Sequence, residues 1–394
     1  MTAFTMQLRR DPNGRIVEKY ETVAGSPTTW TYIYDKTGRL AEAKRDGRTV
    51  CNMGYDRDGR RSNDYFPHLG EGYRNYRYAM DDRLLLAGNN QYTHDKNGFR
   101  ATWNHGGKRT CYQYAPDCRL LEAAGPDGSE LTFDHDEHGR RSAKHRNGRP
   151  VESYAWRDLV SLSGFHDGRN GFEFAYSQGE RTPYAMRRDD GAAFSLHYDQ
   201  VGSLRVVADH VGNVIKEIMY DPFGNILKDS DPALRIPIGF AGGLYDPDLG
   251  FVRFGWRDYD PFTSRWTAPD PMGDAGGDPD WYGYCLDDPV NGTDPLGLKG
   301  KKEALARIAK DTAIGAGLGA WKGSNAGWPG AAAGGIIGGS VGALRGTIKE
   351  YPPLRSWLDV TKKKTIFELT DGKANRMKKT RLEDYDPEYY LQTQ

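Results

Sequence analysis

A chain of 394 residues is long enough for two or more domains and a sizeable core, so neither disulfides nor a metal is needed to explain its stability. Hydrophobic residues make up only 37% while Gly reaches 49 and Tyr 24, a balance that suits many short strands joined by turns and disfavours a helical bundle. The net charge is zero, yet residues 299–394 carry 17 Lys/Arg against 10 Asp/Glu and residues 1–298 carry 37 against 44, so a basic tail follows an acidic body.

Residues 1–10 lack the apolar run of a signal peptide, so any export must use a route that needs none. Cys51, Cys111, Cys118 and Cys285 show no paired spacing and no nearby histidine cluster, and are read as reduced. A repeat then dominates the chain. Tyr34-Asp35-Lys36-Thr37-Gly38-Arg39 and Tyr55-Asp56-Arg57-Asp58-Gly59-Arg60 lie 21 positions apart. Degenerate copies follow at His94-Asp95, Tyr114, His135-Asp136, Tyr198-Asp199 and Tyr220-Asp221. In each unit an alternating stretch such as Thr29-Trp30-Thr31-Tyr32-Ile33-Tyr34 predicts a strand, Asp and Gly supply a tight turn, and the next strand begins. One hairpin cannot bury its apolar face, so neighbours must stack into a long spiralling sheet. An ordinary β-sandwich would show no fixed period.

These units resemble the YD/RHS repeats of bacterial Rhs effectors, Tc toxin components, wall-associated toxins and animal teneurins. The resemblance implies a mainly β fold, a YD-repeat hairpin spiral forming a fragment of a hollow shell. From Tyr220 the motif densifies through Gly239-Phe240, Gly255-Trp256-Arg257-Asp258-Tyr259-Asp260-Pro261, Ser264-Arg265-Trp266 and Asp270-Pro271-Met272-Gly273, and closes with Asp294-Pro295-Leu296-Gly297-Leu298. That ordered series resembles the RHS-associated core, which plugs such shells. The implied organisation is a shell fragment over 1–219, the core over 220–298, and a C-terminal payload over 299–394.

The core resemblance implies an aspartyl autoprotease with Asp270 and Asp294 as catalytic pair, cutting between Leu298 and Lys299, with Arg257 and Arg265 as candidate supports. Two close carboxylates share one proton, so one activates water while the other polarises the scissile carbonyl. No metal and no cofactor is implied. Against this stands a purely structural reading, because Asp-Pro-x-Gly is itself a favourable β-turn and recurs at Asp11 and Asp221. Pro269 stands where some relatives carry arginine, and Asp287-Asp288-Pro289 replaces the usual Asn-Asn-Pro, adding carboxylates near the pair.

Beyond Leu298, residues 299–310 have the spacing of a basic amphipathic helix. Residues 313–346 hold 12 Gly and 8 Ala of 34, with small residues at a spacing of four that suits either membrane contact by short helices or a linker. Each arm is shorter than the roughly 20 residues needed to span a bilayer. Residues 347–394 contain no His and no Cys, which leaves no common nuclease base or thiol nucleophile, so no payload activity is assigned. The whole reads as a polymorphic-toxin effector, cytoplasmic before export and then secreted or injected. Its implied partners are an immunity protein, a secretion or carrier component, or a further shell chain, and no specific nucleic acid is predicted. The alternative is a non-catalytic YD-repeat scaffold that binds protein or carbohydrate.

Overall fold

The computed structural model describes residues 2–298. The expected helix of 299–310, the Gly/Ala-rich stretch, the tail and Lys299 lie outside the described residues.

Alternation decides which side chains turn inward. On the strand Ser26–Tyr34, Trp30 and Tyr32 are buried while Ile33 points to solvent, as period-two packing requires. From Phe4 to Asp229 the chain builds a 22-stranded sheet in which consecutive strands pair antiparallel, an uninterrupted meander.

One turn is used again and again. Asp35 accepts the Thr37 and Arg39 N–H groups on Oδ1 at 2.9 and 3.0 Å and the Arg39 Nε–H on Oδ2 at 2.7 Å. The Gly38 N–H closes the turn on the Asp35 carbonyl at 3.1 Å, and Gly38 has φ of 96°, open to glycine at little cost. The register shifts between Ile33 and Tyr34, the bulge expected of a type I turn followed by a left-handed residue. Asp56 and Asp136 repeat the pattern with Arg60 and Arg140.

Successive turns are riveted together. Tyr34, Tyr55 and Tyr78 donate their hydroxyls to the carbonyls of Ile16, Leu40 and Arg61, at 2.6, 2.7 and 2.9 Å. In the same places Arg15, Arg39 and Arg60 lie over the rings of Tyr34, Tyr55 and Tyr78. The tyrosine of one unit therefore caps the strand start of the unit before it, and the arginine that braces one turn stacks on the next.

The sheet also meets itself. Glu21, on Ile16–Val23, pairs with Arg205, on Leu204–Ala208, at 3.0 Å, and both are buried. After Asp229 the chain folds against the sheet as a four-stranded sheet, Leu244–Asp246, Phe251–Phe254, Arg257–Asp260 and Arg265–Trp266. Its aromatic centre of Phe254, Tyr259, Trp266 and Tyr284 belongs to one core with Tyr154, Phe165 and Phe172 of the large sheet. Buried ion pairs fix its seat: Arg100 to Asp260 at 2.6 Å, Lys144 to Asp246 at 2.6 Å, and Arg141 to Asp246 and Asp258 at 3.3 and 3.4 Å.

Two consequences are measurable. Tyr55→Phe removes one inter-repeat hydrogen bond and leaves the Leu40 carbonyl short of a donor, so denaturant unfolding should show a loss of about 1 kcal/mol. His135 stands at a repeat tyrosine's place; burial, then Arg253, Arg141 and Arg119, hold its pKa down to about 2. Its folded pKa is depressed, so the stability it contributes is present above its unfolded value of 6.5 and is lost as pH falls below it. Relative to His135→Phe, the protein should lose up to about 1.4 kcal/mol per pH unit between pH 6.5 and 4, read from urea midpoints.

Candidate functional site

The Asp-headed turn recurs twice in the last part of the described chain. At Asp270 the Met272 N–H reaches Oδ1 at 2.8 Å and the Gly273 N–H the main-chain carbonyl at 2.9 Å. At Asp294 the Gly297 N–H reaches the carbonyl at 3.2 Å and the Leu298 N–H reaches Oδ1 at 3.0 Å. At Asp35, Asp56 and Asp136 the residue four after Asp is the arginine that occupies Oδ2, and at Asp209 and Asp221 an asparagine occupies it instead. Here those places are Asp274 and Leu298, and neither side chain can take that role.

Arg257 takes it over from a neighbouring strand. Its Nη2 lies 2.8 Å from Asp270 Oδ2 and 3.6 Å from Asp294 Oδ2, so one guanidinium faces both carboxylates. Its Nε–H donates to the Gly297 carbonyl at 2.6 Å and its Nη1–H to the Trp281 carbonyl at 3.0 Å, while its guanidinium carbon lies 4.2 Å from the centroid of the Trp266 ring. Arg257, Asp270, Asp294 and Leu298 are all buried. An arginine's planar fork suits this shared role; a lysine has only a point charge to offer.

Backbone approaches backbone where the Leu298 segment is seated. The Trp256 N–H donates to the Leu296 carbonyl at 2.9 Å. A Cβ at Gly255 would stand 2.6 Å from the Leu296 carbonyl oxygen, and one at Gly297 the same distance from that of Phe254. Both glycines hold positive φ, 42° and 64°.

Of the residues singled out from sequence, the structure brings Asp270, Asp294, Leu298 and Arg257 together. Arg265 lies elsewhere: it forks onto Asp280 at 2.5 and 2.7 Å and donates to the Asp82 carbonyl at 3.0 Å. It ties the core segment to the large sheet. Asp287 pairs with Arg61 at 2.9 Å, and Asp288 accepts from Asn291, so each of these extra carboxylates has a partner of its own. Sequence reasoning did not find Trp281, whose carbonyl ties Arg257 to the Asp270 N–H; a main-chain acceptor leaves no mark on residue type. Among the described residues, no group of three or more His, Cys, Asp or Glu side chains is placed to hold a metal ion.

The meander, its Asp-headed turns and its tyrosine ladder define a YD-repeat shell module. The chain belongs to the Teneurin YD-shell family, which matches residues 1–277. It is 29% identical to human Teneurin-4 over 276 residues and 25% identical to Drosophila melanogaster Teneurin-m over 274. Each match covers 68% of this chain and 10% and 9% of the respective relative, so the chain spans about a tenth of their length. Among solved structures it is similar to the TcdB2–TccC3 crystal structure (14% identity, TM-score 0.30, 75% of this chain and 22% of that one). It is likewise similar to the Photorhabdus luminescens Tc holotoxin pore (14%, TM-score 0.32, 76% and 21%).

Removing the shared cation is the direct test of how this cluster is held. Arg257→Met should destabilise the fold by about 3–5 kcal/mol, because two buried carboxylates lose their common counter-charge. Asp270→Asn in that background should recover part of the loss, measured as a double-mutant cycle in urea.

Proposed function

We propose that the chain is an Rhs-type effector whose core cuts its own backbone between Leu298 and Lys299, separating a shell-and-core part, 1–298, from a payload, 299–394. The observation that carries this reading is the guanidinium of Arg257, which contacts both carboxylates and the Gly297 carbonyl, one peptide before the scissile bond.

In this mechanism Asp270, in direct contact with Arg257, holds the negative charge of the pair, and Asp294 carries the shared proton beside the scissile residue. Asp270 takes a proton from water as its oxygen attacks the Leu298 carbonyl carbon, and Asp294 donates to the carbonyl oxygen. Collapse breaks the carbon–nitrogen bond, the proton passes to the Lys299 nitrogen, and a Leu298 carboxylate and a Lys299 amine result. The titration belongs to the pair, not to either residue. Seating of the Leu298 segment by Trp256, Arg257 and Asp294 makes the reaction intramolecular, with effective molarities of about 10⁵ M or more. No cofactor or metal takes part.

The same reading makes the protein cytoplasmic before export, with an immunity protein, a carrier or a further shell chain as partner, and with residues 313–346 as either a membrane contact or a linker to the payload. A second reading rests on a separate observation: the hydrogen bonds that Asp270 accepts from Met272 and Asp294 from Leu298 are among those that Asp35 and Asp56 make to their own turns. On that reading the turns only shape the chain, and the protein is a binding scaffold.

Intact mass under denaturing conditions separates the two. The cleavage reading expects species ending at Leu298 and starting at Lys299 in the wild type, and a single full-length mass for Asp270→Asn and Asp294→Asn. One full-length mass in all three selects the scaffold.

A further inference from the structure

Between the two aspartates, three consecutive residues hold a backbone conformation that side chains disfavour. Cys285, Leu286 and Asp287 have φ of 54°, 54° and 56°. Left-handed geometry is costly for any residue bearing a Cβ, and runs of it persist only where the surroundings impose it. The Leu286 side chain does not impose it, being 47% exposed.

The hold comes from the residues on either side. The Leu286 N–H donates to Asp278 Oδ2 at 3.2 Å, and the Asp287 carboxylate is gripped by Arg61 Nη2 at 2.9 Å. Arg61 opens the strand Arg61–Tyr65 of the large sheet, is 3% exposed, and lies 4.4 Å from the Phe223 ring. Its other acidic neighbour, Asp64, stands farther off at 3.7 Å and is already engaged by Arg74 through two 2.8 Å bonds and by the Tyr76 hydroxyl at 2.7 Å. Asp287 is therefore the closer and less committed anion for the Arg61 charge.

The turn sits where it sets the geometry of the pair. Just before it, the Trp281 carbonyl is tied to the Asp270 N–H and to Arg257, and the Tyr282 carbonyl accepts the Trp266 N–H. Just after it, Val290 is buried, and Asn291 Oδ1 accepts the Ile16 N–H at 2.9 Å. The chain between is short, so residues 285–287 set its course from the Trp281 anchor to the anchor at Val290 and Asn291, from which Asp294 and Leu298 follow.

We propose that Arg61 is a positioning residue for the cleavage: by clamping Asp287 it imposes the left-handed turn that delivers Asp294 and Leu298 to Asp270 and Arg257. This rests on the cleavage reading above. Arg61 touches none of the reacting atoms and acts through the backbone of 285–287.

The test follows from what glycine does in that geometry. Glycine adopts positive φ without a clamp, so Leu286→Gly should rescue a chain that has lost Arg61, whereas a role of Arg61 through Phe223 or Asp64 would not be rescued. The full chain is made by cell-free synthesis and its cleavage followed by denaturing mass spectrometry, with folding checked by thermal melts. Arg61→Ala should slow cleavage by about tenfold or more, and Arg61→Ala with Leu286→Gly should return to within about threefold of Leu286→Gly alone. If Arg61→Ala does not fold, Asp287→Asn, which keeps the side-chain shape, carries the same pair of expectations. A folded Arg61→Ala that cleaves within about twofold of the wild-type rate, or one whose slowing Leu286→Gly leaves unchanged, overturns the proposal while the cleavage reading stands. A wild-type chain that never cleaves removes that reading and this one with it.

Discussion

The whole architecture hangs on a carboxylate folded back onto its own turn. At turn after turn an Asp side chain satisfies two backbone N–H groups that the bulge would otherwise leave without protein acceptors. The second of these donors is part-buried, and a donor shielded from water and left unpaired costs about as much as a lost hydrogen bond. Because the Asp also holds the arginine four residues on, that arginine is presented to the tyrosine of the next unit. Local turn chemistry and repeat-to-repeat stacking are thus one interaction seen from two sides. This explains a sheet of 22 strands in which consecutive strands pair and register is reset at turn after turn.

The core segment obeys the same rule with one substitution. At Asp270 and Asp294 the arginine of the turn is missing, and a single guanidinium from the strand Arg257–Asp260 serves both. Two turns that elsewhere would be independent are therefore coupled through one cation. In a buried setting that coupling is electrostatically strong, since the same low dielectric that penalises an isolated charge strengthens a matched one. A structural device repeated along the sheet is thereby tied, at these two turns, to one cation supplied by a neighbouring strand.

The repeat and the mainly β fold were legible in the sequence because each depends on short-range chemistry: a turn needs Asp and Gly at fixed offsets, and a half-buried strand needs alternation. The pairing of Asp270 with Asp294 was legible only through the resemblance to the RHS-associated core, since their turn chemistry matches that of Asp11 and Asp221. Degenerate units were legible only in part. The turn closed by Ala79 and Asp82 uses a non-glycine residue at φ of 62°, and the one at Ala115 uses Cys118 at 66°, so residue type hides geometry that the backbone keeps. Asp209 heads a full turn closed by Gly212 that carries no tyrosine before it. What sequence could not separate was Arg257 from Arg265. Both sit in the core motif, both are buried, and which one meets the aspartates is decided by the register Phe254↔Arg257 and Asp260↔Arg265, a tertiary fact. The left-handed run at Cys285 was invisible for the same reason, since nothing in Cys-Leu-Asp announces positive φ.

The density of buried charge between core segment and sheet needs its own explanation, because ion pairs are a poor source of net stability once desolvation is counted. An apolar interface of the same area would hold the two layers together at least as well. It would not fix their relative position. A leucine packs almost as well after a small slide, whereas Lys144 between Asp246 and Asp248, Arg141 between Asp246 and Asp258, and Arg100 against Asp260 each fit one placement, and a slide of an ångström or two would leave several charges without partners at once. Such pairs act as register pins. Registry matters most for the strand Arg257–Asp260, since three of its four residues serve as pins or as the shared cation. The position of Arg257 relative to Leu298 is thereby inherited from contacts made across the width of the sheet, and the precision of the site follows from pinning the layer that carries it.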